Sequence, residues 1–116
     1  MSVVNVKEEF LQKNGYKDFQ DWINTPNHIY IGQDMTHYVA GTTASKWRNP
    51  FHVKKYGIDS CLELYELYIR NSVLYEQLDE LRGMQLGCWC HPTKCHGDIL
   101  IKLLNEKSSA NNTVCP

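Results

Sequence analysis

Residues 84–107 constrain the fold more than any other stretch of the chain. Met84-Gln85-Leu86-Gly87-Cys88-Trp89-Cys90 is mostly apolar and lacks a clean polar alternation, the pattern of a strand covered on both faces, as in parallel sheets. Pro92 then turns the chain. Ile99, Leu100, Leu103 and Leu104 mark the inward stripe of a helix running from about Cys95 to Lys107. Such a strand needs a neighbour to pair with. His28-Ile29-Tyr30-Ile31-Gly32, β-branched and aromatic and closed by glycine, supplies one.

The remaining segments read as helices packed around these strands. Ser60-Cys61-Leu62-Glu63 has the capping-box pattern, in which the serine side chain accepts from the N3 amide and the glutamate reaches back to the cap amide. Cys61, Tyr65, Tyr68 and Ile69 carry that helix to about Asn71, with both tyrosines read as core. Leu74, Leu78 and Leu81 mark a second helix, closed by Gly83. Earlier in the chain, short helices are predicted near 6–13 and 17–23. Phe19, Trp22 and Ile23 form one buried stripe, and Pro26 lies beyond the stop. Strand, helices, strand, helix predicts a small Rossmann-like, three-layer α/β domain with a short, mostly parallel sheet and a right-handed crossover. The predicted organisation is one α/β domain over 1–107, with a core at 28–106, an N-terminal helical extension at 1–25 and a disordered Ser/Asn-rich tail at 108–116.

At 116 residues folding should bury roughly 65% of the unfolded surface, enough for one modest core. A formal charge of −1 provides no global field for nucleic acid or anionic lipid, so such binding would have to be local. No apolar run approaches a membrane span, and the N-terminus lacks a signal-peptide layout. The expected setting is therefore the cytoplasm, or the nucleus by diffusion, and the Asn111-Asn112-Thr113 sequon is read as coincidence. Of five cysteines, Cys88, Cys90 and Cys95 are clustered. In a reducing compartment that clustering points to metal, reactivity or close packing rather than to a disulfide framework.

Strand alternation predicts Cys88 and Cys90 as a buried pair on one face, with Trp89 on the other. Cys95, His96 and Asp98 fall at a helix start, where free amides favour a thiolate. A cysteine there can drop from about 8.5 into the range of roughly 3.5–7.5. Lys94 pushes the same way, and Asp98 pushes against it. Three readings stay open. Cys95, or Cys90, is a nucleophile or redox thiol with His96 as acid/base and Asp98 orienting the histidine or a loop amide. Alternatively, Cys88, Cys90, Cys95 and His96 bind zinc, although the spacing lacks the usual CxxC knuckle. In the third reading the cysteines pack, and Cys95-His96 cap the helix and line a pocket.

The stretch from Gln33 to Tyr56 has no clear period, apart from a short strand expected at 51–53, and long ordered loops are often functional. Thr42, Thr43, Ser45, Lys46, Arg48 and Asn49 offer hydroxyls, amides and positive charge to a phosphate. Trp47, Tyr38 and Phe51 offer faces for a base, or else Trp47 and Phe51 pin the loop to the core. No standard nucleotide fingerprint is present. His28, His37 and His52 are read as surface or core histidines.

Three separate motifs resemble the domain-of-unknown-function 4326 family. They are Tyr30-Ile31-Gly32, Ser45-Lys46-Trp47-Arg48-Asn49-Pro50-Phe51, and Leu86-Gly87-Cys88-Trp89-Cys90 with Pro92 and Cys95-His96-Gly97-Asp98-Ile99-Leu100. Their order and spacing match over about residues 28–106. Members resembling this chain occur in phages, large DNA viruses and scattered cellular genomes, and the resemblance carries no activity with it. Two positions depart from the pattern: Gln33 replaces an arginine, and Arg48 replaces a glycine. If that arginine grips an anion in the family, the resemblance implies that Arg48 or Lys46 substitutes for it here, or that this member has lost the contact.

In open α/β sheets ligands sit outside the carboxyl ends of strands, so the loops after Gly32 and Cys90 are expected to converge. The expected function is binding of a nucleotide or related phosphorylated, nucleic-acid-derived ligand. Its site would comprise Gly32, Ser45, Lys46, Trp47, Arg48, Asn49, Cys90 and Lys94, with Cys/His-dependent catalysis as a further step. The alternatives are a zinc-stabilised module binding protein or nucleic acid, and a non-catalytic protein that sequesters a nucleotide.

Overall fold

The computed structural model describes residues 2–90 and 93–114, with side chains as far as Ser108. Three parallel strands form one sheet in the order β1-β3-β2: β1 (Ser2–Asn5), β2 (His28–Tyr30) and β3 (Gln85–Cys88). The apolar run read as a buried strand is therefore the central one, bonded on both sides. Leu86 sits opposite Val3 and Ile29, and Gly87 opposite Val4 and Tyr30. Strand β1 was not foreseen; helical structure alone was expected over 1–25. Four residues ending in asparagine make a weak strand signal, and what orders them is the vacant ladder on β3.

Alternation along the strands separates two cores. On one face Val3, Ile31, Leu86 and Cys88 pack with Tyr65 and Ile69 of α4 (Ile58–Arg70), and with Leu100, Leu103 and Leu104 of α6 (His96–Val114). On the other, Val6 and Tyr30 pack with Leu11 of α1 (Glu8–Lys13) and with Phe19 and Trp22 of α2 (Phe19–Ile23). Gly87 permits the second packing. A Cβ there would lie 2.5 Å from the Trp22 ring and 2.6 Å from Val6, distances that side-chain atoms do not tolerate. Full burial of each large side chain contributes roughly 1.5–3 kcal/mol.

Several local expectations shift. Residues 53–56 form a helical turn, α3 (Val53–Tyr56), where a strand was expected at 51–53. Helix α4 begins at Ile58 rather than behind Ser60, because the Gly57 carbonyl already accepts from Cys61 N at 2.9 Å. Gly57, at φ 78°, takes a backbone shape that L residues avoid. Ser60 therefore lies inside the first turn and caps nothing. Tyr65 is core, but Tyr68 stays exposed beside Phe51. Helix α5 (Leu74–Gln77) continues into a 3-10 turn at Leu78–Leu81, and Gly83 follows at φ 74°. The helical backbone of α6 extends to Val114, past the expected end at Lys107.

Candidate functional site

The carboxyl ends of β2 and β3 and the start of α6 meet at one point. Gly97 makes the meeting close: a Cβ there would lie 2.8 Å from Val3 and 3.0 Å from Ile31. Helix α6 starts with a reciprocal cap. Cys95 Sγ accepts from Gly97 N at 3.5 Å, and the Asp98 carboxylate accepts from Cys95 N at 3.1 Å. This resembles a capping box, with the cysteine sulfur taking the N2 amide rather than the N3 amide and aspartate reaching back to the cap amide. Asp98 thus orients a loop amide, one of its two expected roles.

His96 is buried, and each ring nitrogen has a defined neighbour. Nε2 lies 2.7 Å from the Ile31 carbonyl oxygen, and Nδ1 lies 3.6 Å from Cys95 Sγ. A carbonyl can only accept, so Nε2 carries the proton and Nδ1, unprotonated, faces the Cys95 sulfur. The ring edge rests on Tyr65, 5.2 Å between centroids. Burial pushes the imidazole below its ordinary pKa, against the pull of the Ile31 carbonyl and Asp98. The ring is held neutral.

The thiols depart from the expected division. Cys95 is buried, 1% exposed, whereas Cys90 is exposed. The alternation argument fails at Cys90 because β3 ends at Cys88. The chain then turns, with Thr93 N donating to the Cys90 carbonyl at 2.9 Å. That turn brings Cys95 back against both earlier cysteines. Hydrogen bonds with Cys88 and Cys90, together with burial, push the Cys95 thiol up. Donation from Cys95 lowers Cys90 to about 6; the Lys7 charge adds to this, and partial burial opposes it. Cys90, not Cys95, is therefore the thiolate at neutral pH. Lys7 had no signal in the sequence, since it reaches the site only through the unforeseen β1. The β1 end also holds the backbone here, with Asn5 Nδ2 donating to the Trp89 carbonyl at 3.3 Å.

A cavity of ≈ 310 Å³ opens over this cluster. Gly32, Asn49, Cys90, Lys94, Cys95 and His96 line it, as expected, and Cys88 forms part of its floor. Gln33 lines it too, at the position where the family pattern has arginine. Its apolar wall, from Phe51, Val53, Ile58 and Leu62, was missed as a lining because those residues look like ordinary packing positions. His52, read as a surface or core histidine, also reaches the cavity. Lys94 pairs with Asp59 at 2.9 Å and ties the 93–95 loop to α4.

Most of the 45–49 loop faces elsewhere. Trp47 is fully buried in the core, and its carbonyl accepts from Tyr65 Oη at 2.7 Å. Ser45 Oγ accepts from Trp47 N at 3.0 Å, while Ser45 N donates to the Gly32 carbonyl at 3.0 Å. Lys46 pairs with Glu80 at 2.8 Å and donates to Gln77. Arg48 donates to the Ser45 carbonyl at 3.2 Å. These four residues brace the loop and do not line the cavity, so neither Lys46 nor Arg48 replaces the family's arginine there. Asn49 alone reaches the cavity, using its Oδ1 to accept from Phe51 N at 2.9 Å.

The stretch of chain that builds this cavity lies within a match to the family Domain of unknown function (DUF4326), which covers residues 15–106. The chain belongs to that family. The match begins upstream of the three motifs and takes in α2, whose Trp22 packs on Gly87. Uncharacterized protein R718 of Acanthamoeba polyphaga mimivirus is 37% identical over 84 residues, 65% of each chain. An uncharacterized 12.4 kDa protein in the nrdA-td intergenic region of Enterobacteria phage T4 is 57% identical over 29 residues, 25% of this chain and 27% of that one. The chain thus spans less than two thirds of these relatives' length. No solved structure matches it.

Among the described residues no group of three or more His, Cys, Asp or Glu side chains is placed to hold a metal ion. With Nε2 engaged by Ile31 and Nδ1 against Cys95, His96 is committed within the protein. No helix among the described residues is long and apolar enough to cross a membrane.

Proposed function

We propose that the cavity binds a nucleotide or related phosphorylated, nucleic-acid-derived small molecule at the strand ends of a Rossmann-like core. One observation carries this reading: residues from all three family motifs, Gly32, Asn49 and the Cys88–His96 turn, line the same cavity. Ligands of open α/β sheets sit outside the carboxyl ends of parallel strands, and this cavity occupies that position. Its volume is at the lower end of the small-molecule range. Phe51 and Trp89 supply aromatic faces for a base. Gln33, Asn49 and His52 supply hydrogen bonds, and Lys94 supplies charge at the rim. The setting that fits this reading is the cytoplasm, or the host cytoplasm or nucleus for a viral member.

Thermal-shift and calorimetric titration against a panel of nucleosides and nucleoside mono-, di- and triphosphates tests the proposal. One class should raise the melting temperature. Asn49→Ala and Phe51→Ala should each weaken its binding by about tenfold, the equivalent of one lost buried polar or stacking contact. Lys46→Ala and Arg48→Ala should bind as the wild type does. A panel with no binder, or binding abolished by Arg48→Ala and indifferent to Asn49→Ala, would count against the cavity.

A further inference from the structure

Cys90 and Cys95 differ in every respect that matters for thiol chemistry, yet they touch. Cys90 is exposed at the mouth of the cavity, and Cys95 is buried behind it, in hydrogen-bond contact with both Cys88 and Cys90. Both side chains line the same cavity. A base, His96 Nδ1, stands 3.6 Å from Cys95 Sγ on its other side. Cys61 shows what a structural cysteine looks like in this protein: it is buried in α4, and its thiol donates to the Phe51 carbonyl at 3.4 Å.

We propose that Cys90 and Cys95 form a dithiol–disulfide couple that exchanges with small-molecule disulfides, Cys90 as the attacking thiol and Cys95 as the resolving one. This assignment does not depend on which ligand the cavity binds. In the first step the Cys90 thiolate attacks one sulfur of a disulfide RSSR. The S–S bond breaks, a Cys90–SR mixed disulfide forms, and RS⁻ leaves and is protonated by water. In the second step Cys95 gives its proton to His96 Nδ1 and attacks Cys90 Sγ. The Cys90–SR bond breaks, the Cys90–Cys95 disulfide forms, and the second RS⁻ recovers the proton from His96. The net change is oxidation of two protein thiols and reduction of RSSR to two thiols; excess thiol reverses it. The asymmetry suits the order, because an exposed thiolate meets the incoming disulfide while the protonated partner waits inside.

The depressed Cys90 pKa supports the same order. Alkylation of Cys90 should rise with a midpoint near 6 and level off above neutrality, a profile an isolated thiol near 8.5 does not give.

The experiment treats the reduced, intact protein with oxidised glutathione at neutral pH and follows it by intact mass and peptide mapping. The wild type should lose two hydrogens and carry a Cys90–Cys95 bond, with two glutathiones released. Cys95→Ser should stop at a stable glutathione adduct on Cys90. Serine is itself a strong N-cap residue, so this variant should keep the start of α6, which circular dichroism checks. Cys90→Ser, at an exposed position, should slow glutathione release by at least about tenfold. Three results would overturn the proposal: a wild-type reaction that stops at the Cys90 adduct, first modification at Cys61 or Cys115, or stoichiometric metal on the purified protein that blocks both thiols until it is chelated.

Discussion

The 45–49 loop and the 88–98 turn carry similar chemistry in sequence, and the fold uses them in opposite ways. Both are rich in polar and reactive side chains, both follow a strand in the chain, and both match family motifs. In the first, the polar groups are consumed by the loop itself: Ser45 binds the Trp47 amide, Arg48 binds the Ser45 carbonyl, and Lys46 is tied to Glu80. In the second, Asn5 of β1 holds the Trp89 carbonyl and Asp98 holds the Cys95 amide, and the Cys90 and Lys94 side chains are left to line the cavity. The lesson is that a reactive side chain is available for chemistry only when something else satisfies the backbone around it.

Variants that separate stability from cavity chemistry put this contrast at risk. The largest effect belongs to Trp47→Ala, which should cost about 3–5 kcal/mol in urea unfolding, as expected for a fully buried aromatic. Next, Tyr65→Phe leaves the Trp47 carbonyl without its hydroxyl partner and should cost about 1–3 kcal/mol. In both, the folded fraction should keep the Cys90 alkylation profile; a changed profile would mean the loop shapes the thiol site after all. Asp98→Ala should behave the other way. It should cost only about 1 kcal/mol, the value of one cap, while altering Cys90 reactivity, because Cys95 is no longer held by its amide.

The pH dependence follows from His96. Its folded pKa is depressed, so below about 6.5 the unfolded chain binds a proton that the folded one resists. Stability should therefore fall as pH drops through that value, and His96→Asn should flatten that part of the curve. The smallest effect is that of Lys46→Ala. The exposed pair with Glu80 should be worth within about 0.5 kcal/mol, and glutathione exchange should be unchanged.

Periodicity made β2, β3 and α6 legible, because their apolar residues face cores that any sheet-and-helix packing would require. Tyr65 and Ile69 gave α4 for the same reason. What stayed hidden depended on partners rather than on local pattern. Strand β1 exists because β3 offers it a ladder. Ser60 looked like a cap because nothing in the sequence announces that Gly57 supplies the first helical carbonyl. The convergence of Gly32, Asn49, Lys94 and the clustered cysteines on one cavity followed from their places at the strand ends. The burial of its thiols differs from the expected division, Cys90 being exposed and Cys95 buried, since alternation was carried two residues beyond the end of β3.

Strand β3 is bonded on both edges and runs directly into Cys88. In hydrogen-exchange terms, the amides of Leu86 to Cys88 belong to the portion of the molecule that opens only with global unfolding. The floor beneath the reacting sulfurs should therefore exchange slowly, while Thr93 and Lys94 above it are surface. A thiol pair anchored on one side and yielding on the other can close and reopen a covalent bond by moving its surface half. Oxidation should then leave deuterium uptake in β3 unchanged and slow it at Thr93 and Lys94.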